Sequence, residues 1–108
     1  MSDDTQLLKG ILEGCILELL SKEPAYGYRI VEVLTDIGIE TNEATVYPIL
    51  IRLQKQGALF IEKRPSPLGP DRKYYSLTAE GVSILNRFRA SWTKIRLFVE
   101  QVQEREIL

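Results

Sequence analysis

Histidine is absent from the 108 residues, and cysteine and tryptophan occur once each. Without an imidazole there is no histidine general base and no histidine metal ligand. Cys15 has no second cysteine to pair with. It stands among apolar residues and reads as a buried thiol in a reducing cytoplasm. The carboxylates are scattered, and none meets a plausible partner at catalytic spacing. Together these absences argue against an enzyme and imply no metal and no cofactor. No apolar run approaches the roughly 18 residues of a membrane helix. The start, "MSDDTQ", is acidic and lacks the basic-then-apolar order of a secretion signal. The expected location is therefore cytoplasmic, with no membrane partner. What remains is an ordinary globular composition, 44% hydrophobic and 27% charged, in a chain long enough for one core.

The net charge of −1 conceals an asymmetry. Residues 1–45 carry nine acids against three cations, whereas residues 46–108 carry eleven cations against six acids. Between Arg52 and Lys73 six cations accompany two acids. Such a distribution points to one basic face, a nucleic-acid footprint, with an ordinary solvated surface as the plain alternative.

Apolar residues at 7, 8, 11, 12, 15, 16, 19 and 20 predict a first helix over Leu7–Leu20 with a wide buried stripe. A second helix follows Pro24, with Ile30, Leu34 and Ile37 on one face and Gly38 as its C-terminal cap. A third carries Val46, Ile49, Leu50 and Leu53 and stops at Gly57. Either Asn42 or Thr45 caps its start. In the first case Pro48 falls in the second turn and should bend the helix; in the second it falls in the first turn, where proline is tolerated. "ALFIEKR" (58–64) and "KYYSL" (73–77) read as two strands, joined by the proline-rich "PSPLGPD". Thr78 caps a last helix of about residues 79–106, with Glu80 in its first turn. At 1.5 Å per residue this helix is roughly 40 Å long. Its apolar positions 85, 88, 92, 95, 99 and 102 recur at spacings of three and four. One body of this size cannot cover all of it, so a second copy of the chain is expected alongside this chain's own first helix.

Three helices, a hairpin and a helix is the order of a winged helix-turn-helix. The expected fold is thus mostly α with a small β-hairpin wing, residues 1–78 forming the DNA-binding unit and 79–108 a dimerisation helix. The third helix would enter the major groove with Thr45, Tyr47, Pro48, Ile51, Arg52 and Lys55 outward. Its candidate DNA contacts are Asn42, Thr45, Tyr47, Arg52 and Lys55. Those of the wing are Arg64, Arg72 and Lys73, whose charges converge where the strands meet the loop, and Tyr74. Strand alternation puts Lys73, Tyr75 and Leu77 on one face and Arg72, Tyr74 and Ser76 on the other. A buried Leu77 leaves Tyr74 outward. Arg52 has the alternative of pairing with Glu43 or Glu62, and Tyr47 that of filling a groove between helices. The candidate dimer contacts are Leu85, Phe88, Trp92, Ile95, Val99 and Val102. A dimeric module that binds protein, or a ligand scaffold with little DNA affinity, is the competing reading. The convergent cations of the wing argue against it.

"YGYRI" (26–30), "EATVYPILIRLQKQGAL" (43–59) and "GPDRKYYSLTAEG" (69–81), with "KGIL" in the first helix, resemble the PadR family of transcriptional regulators. The resemblance runs from about Leu8 to Trp92. It implies a winged-helix DNA-binding domain, a homodimer joined through the C-terminal helix, and usually repression. It supports double-stranded DNA contacts from Thr45, Tyr47, Arg72 and Lys73. Ile51 and Gly14 depart from the family pattern, which commonly has a basic or polar residue at the first position and a larger apolar one at the second. A single C-terminal helix is similar to the short subgroup, some of whose members sense planar hydrophobic compounds near the dimer axis. The corresponding effector candidates are Trp92, with Gly10 and Gly14 forming a bare helix face beside the partner's Trp92. Close helix packing without a pocket is the alternative.

Overall fold

The computed structural model describes residues 3–107. Met1 and Ser2, which open the acidic start, and Leu108, at the end of the last predicted segment, lie outside them. The elements are α1 (Asp3–Leu8), α2 (Leu12–Lys22), β1 (Ala25–Tyr26), α3 (Gly27–Asp36), α4 (Glu43–Lys55), β2 (Leu59–Ser66), β3 (Gly69–Leu77) and α5 (Ala79–Glu104). This is a winged helix-turn-helix with a long C-terminal helix. No helix among the described residues is long and apolar enough to cross a membrane.

The ends of the helices follow local chemistry. Asn42 caps α4 by accepting from the Thr45 backbone N–H at 3.0 Å. Pro48 therefore lies in the second turn of a continuous helix. It leaves the Ala44 carbonyl without its helical donor, but both residues are on the exposed side, where water can pair with that oxygen. The C-termini of α3 and α4 close alike. Ile39 N–H donates to Leu34 O and Gly38 N–H to Thr35 O, while Ala58 N–H donates to Leu53 O and Gly57 N–H to Gln54 O. This double closure needs a left-handed residue, and Gly38 and Gly57 have φ of 100° and 79°.

The core draws on four of the five helices: Leu12, Ile16, Leu17 and Leu20 of α2, Ile30 and Leu34 of α3, Val46, Leu50 and Leu53 of α4, and Leu85 of α5. Leu59 and Tyr75 cover it from the sheet. The sheet has three antiparallel strands in the order β1-β3-β2, one more than the sequence predicts. Ala25 and Tyr26 form the extra strand, opposite Tyr75 and Tyr74. The β2–β3 ladder runs from Leu59 opposite Leu77 to Arg64 opposite Arg72, then skips Pro65, which has no N–H to give.

Two further expectations are corrected. The helix predicted over Leu7–Leu20 is interrupted by a turn at residues 9–11, so Gly10 and Gly14 do not share a helix face. Gly14 is covered by its own chain: a Cβ there would lie 2.1 Å from Cζ of Phe88. Leu85 is 2% exposed, too buried to face a second copy, and Phe88 is partly buried against the same core of its own chain. The first half of α5 is thus fastened to α2, aided by Arg89, which donates twice to Glu18 at 2.8 and 2.7 Å. Beyond it Trp92, Ile95, Phe98, Val99 and Val102 are all exposed. The molecule is correspondingly long, 64 × 32 × 21 Å.

Candidate nucleic-acid interface

The outer face of α4 and the hairpin enclose a hollow of about 580 Å³. Tyr47, Ile51 and Gln54 line it from the helix, and Ile61, Asp71, Arg72, Lys73 and Tyr75 from the strands. Tyr26, Gly27 and Tyr28 close the third side. The spacing of 47, 51 and 54 puts those side chains along one line of the helix. Tyr47 lies directly over Gly27, where a Cβ would come 2.7 Å from its hydroxyl oxygen. A glycine at position 27 is what lets this ring lie down on the start of α3. Tyr75, buried beneath the hollow, has its hydroxyl pKa raised by burial and secondarily by Tyr47.

The hairpin carries cations on both faces. Lys63 stands opposite Lys73 on the face shared with Ile61 and Tyr75, and Arg64 opposite Arg72 on the face shared with Tyr74. Arg64 donates to Glu62 at 2.6 Å and lies over the Tyr74 ring, 4.4 Å from its centroid. Arg72 lies over Tyr26 at the same distance. Tyr74 is half-buried and on the outer face, while Tyr75 packs on the core.

Tyr47, Arg72 and Lys73 are thus brought to one hollow, with Arg64 and Tyr74 behind it. Asn42 and Thr45 are exposed at the start of α4, but their side chains are engaged with each other, Thr45 Oγ1 donating to Asn42 Oδ1 at 3.3 Å. Lys55 is exposed in the last turn. Arg52 is the exception among the candidates. It turns to α2 and pairs with Glu13, rather than with Glu43 or Glu62 or with the outer face. Lys63, Tyr26, Tyr28, Gln54 and Asp71 were not among the candidates. Alternation along "EKR" could have found Lys63, whereas a two-residue strand offers no period by which to find Tyr26.

A second, apolar hollow of about 760 Å³ lies between α1, the end of α3 and the free half of α5. Leu7, Ile11, Ile37, Ile39, Trp92, Ile95 and Val99 line it, and Gly10 reaches its wall. Gly14 does not.

A family model described as the transcriptional regulator PadR-like family matches residues 16–87. Among solved structures, the chain is similar to a PadR-like transcriptional regulator from Bacillus cereus. The two are 39% identical, with 94% of this chain and 99% of that one covered, at a TM-score of 0.83. A Streptococcus transcriptional regulator is 41% identical, with 92% and 98% covered, at a TM-score of 0.82. The crystal structure of Bacillus subtilis PadR in complex with operator DNA is 25% identical. It matches 72% of this chain and 45% of that one, at a TM-score of 0.66.

Proposed function

Because the chain belongs to the PadR-like family, whose members are transcriptional regulators and not enzymes, we propose that it is a repressor that binds a two-fold symmetric operator as a homodimer. The observation that carries this reading is the meeting of Tyr47 on α4 with Arg72 and Lys73 of the wing around one hollow. A helix face beside a basic ribbon can read base edges while holding phosphates. The operator DNA bound by the similar Bacillus subtilis PadR supports the same reading. Residues 1–78 carry the DNA contacts and act in the cytoplasm, where chromosomal DNA is met. Residues 79–108 join the two copies through Trp92, Ile95, Val99 and Val102, a stripe that is exposed in the single chain. The apolar hollow beside Trp92 seats a planar hydrophobic effector, whose binding releases the operator.

Genomic fragments retained by the protein at low salt supply the duplex for the test. Its affinity is then measured against salt concentration. Lys73→Ala should weaken binding to every sequence and lower the salt slope by about one, whereas Tyr47→Ala should change which fragment is preferred. No retained fragment at low salt, or two variants indistinguishable from the parent, would overturn the assignment. A planar hydrophobic compound that quenches Trp92 fluorescence should also lower operator affinity.

A further inference from the structure

The two arginines of the wing stand directly opposite each other, Arg64 across from Arg72. Like charges so placed weaken a hairpin, and the next pair, Lys63 and Lys73, repeats the arrangement on the other face. Glu62 partners Arg64. Among the described residues Arg72 has no ion pair. Beyond the ion pair of Arg64, both guanidinium groups rest against aromatic rings. Each lies 4.4 Å from the centroid of a tyrosine ring, Arg64 on Tyr74 and Arg72 on Tyr26. The two rings meet edge to face, with centroids 5.3 Å apart at 63°. Arg64, Tyr74, Tyr26 and Arg72 therefore form one contiguous cation–aromatic unit that crosses all three strands of the sheet.

A guanidinium resting on a ring is restrained through its flat face, while its N–H donors point out along its edges. The ring contact restrains each group while leaving edge donors for an oxyanion: all of them on Arg72, and on Arg64 those other than the Nε that Glu62 holds. We propose that Tyr26 and Tyr74 are positioning residues that present Arg64 and Arg72 as a paired clamp for phosphate oxygens of DNA. Tyr26 acts on the wing from outside it, from the two-residue strand β1. Lysine cannot substitute, having neither the flat face nor the fork. The proposal rests on the DNA-binding reading above.

The test is a double-mutant cycle on the duplex selected by the parent protein, with affinity measured at several salt concentrations. Tyr26→Leu should bind about two- to fivefold more weakly, the worth of an exposed cation–π contact. The salt slope should stay unchanged, because no charge is lost. Tyr26→Phe keeps the ring and should bind as the parent does. In an Arg72→Lys background Tyr26→Leu should cost nothing more. Tyr74→Leu with Arg64→Lys forms a second, independent cycle. Destabilisation of the strand would affect both backgrounds alike and so cancels. If the losses simply multiply in both cycles, or if Tyr26→Phe is as weak as Tyr26→Leu, the clamp is wrong while the DNA-binding reading stands. If the parent binds no duplex at any salt concentration, both fall.

Discussion

Replacing Gly81 by alanine probes the joint between the wing and the long helix. Gly81 is in the first turn of α5 and is buried. A Cβ there would sit 2.2 Å from the Ala58 carbonyl oxygen, 3.2 Å from its carbon and 3.3 Å from Cδ2 of Leu77. The first distance falls more than 1 Å short of an ordinary contact of roughly 3.5 Å. The obstacle is backbone, and it is held. Ala58 O accepts from Thr78 N–H at 3.0 Å, and Thr78 Oγ1 donates to Gly57 O at 2.5 Å while accepting from Gly81 N–H at 3.1 Å. Making room means lifting the start of α5 off the sheet and straining these three bonds together.

Overpacking of this kind costs about 1–3 kcal/mol. The gain in helix preference of alanine over glycine returns about 0.5–1 kcal/mol. The net loss is therefore about 0–2.5 kcal/mol, about 1.3 at the middle of the two ranges, and that middle value lowers the melting temperature of a domain of this size by about 5–10 °C. Thermal unfolding followed by circular dichroism, at one fixed protein concentration, reads the shift. Gly10→Ala is the control, since its nearest neighbour would be Leu7 O at 3.8 Å, an ordinary contact. Gly81→Ala melting with or above the parent would refute the account of the joint.

Placing Glu at Ile95 or Val99 should shift a dimer toward monomer in sedimentation while leaving the fold intact, whereas Glu at Leu85 should unfold the chain, because that side chain is 2% exposed; equal behaviour of the three would refute the division of α5. Gly27→Ala should push aside the Tyr47 ring, the free end of a side chain, and so change operator preference with little loss of melting temperature; an unchanged preference in a selection among duplexes would show that Tyr47 does not read sequence. Glu18 has its carboxyl held below the usual range chiefly by the hydrogen bonds from Arg89. The folded chain therefore takes up this proton less readily than the unfolded one, so the stabilisation is present at neutral pH and is lost as the pH falls through the usual carboxylate value toward the lower folded one. Glu18→Gln should flatten that acid limb in denaturant titrations, by a small amount because both partners are half-exposed; superimposable limbs would count against the pair.

The sequence by itself determined the stops of α3 and α4, the cap of α5 and the buried stripe of α4. Gly38, Gly57 and Thr78 act on backbone groups within a few residues of themselves, so their roles were legible from spacing alone. The choice of Asn42 over Thr45 as the cap needed the geometry, since both residue types can serve. The outward Tyr74 and inward Tyr75 followed from the pleat once the hairpin was recognised. Tertiary structure decided whatever depends on docking between distant segments. The turn at residues 9–11 interrupts a stripe whose helical period continues across it. Strand β1 exists only because β3, some fifty residues later, offers it an edge. Arg52 finds Glu13, 39 residues away, although nearer acids were available in sequence. Gly14 is bare because Phe88 fills the space above it, a contact between segments far apart in the chain. Tyr26 meets Arg72 only when the third strand is in place. Periodicity and capping report forces that act within one or two turns, whereas these contacts arise from the relative placement of whole elements, which no local pattern encodes.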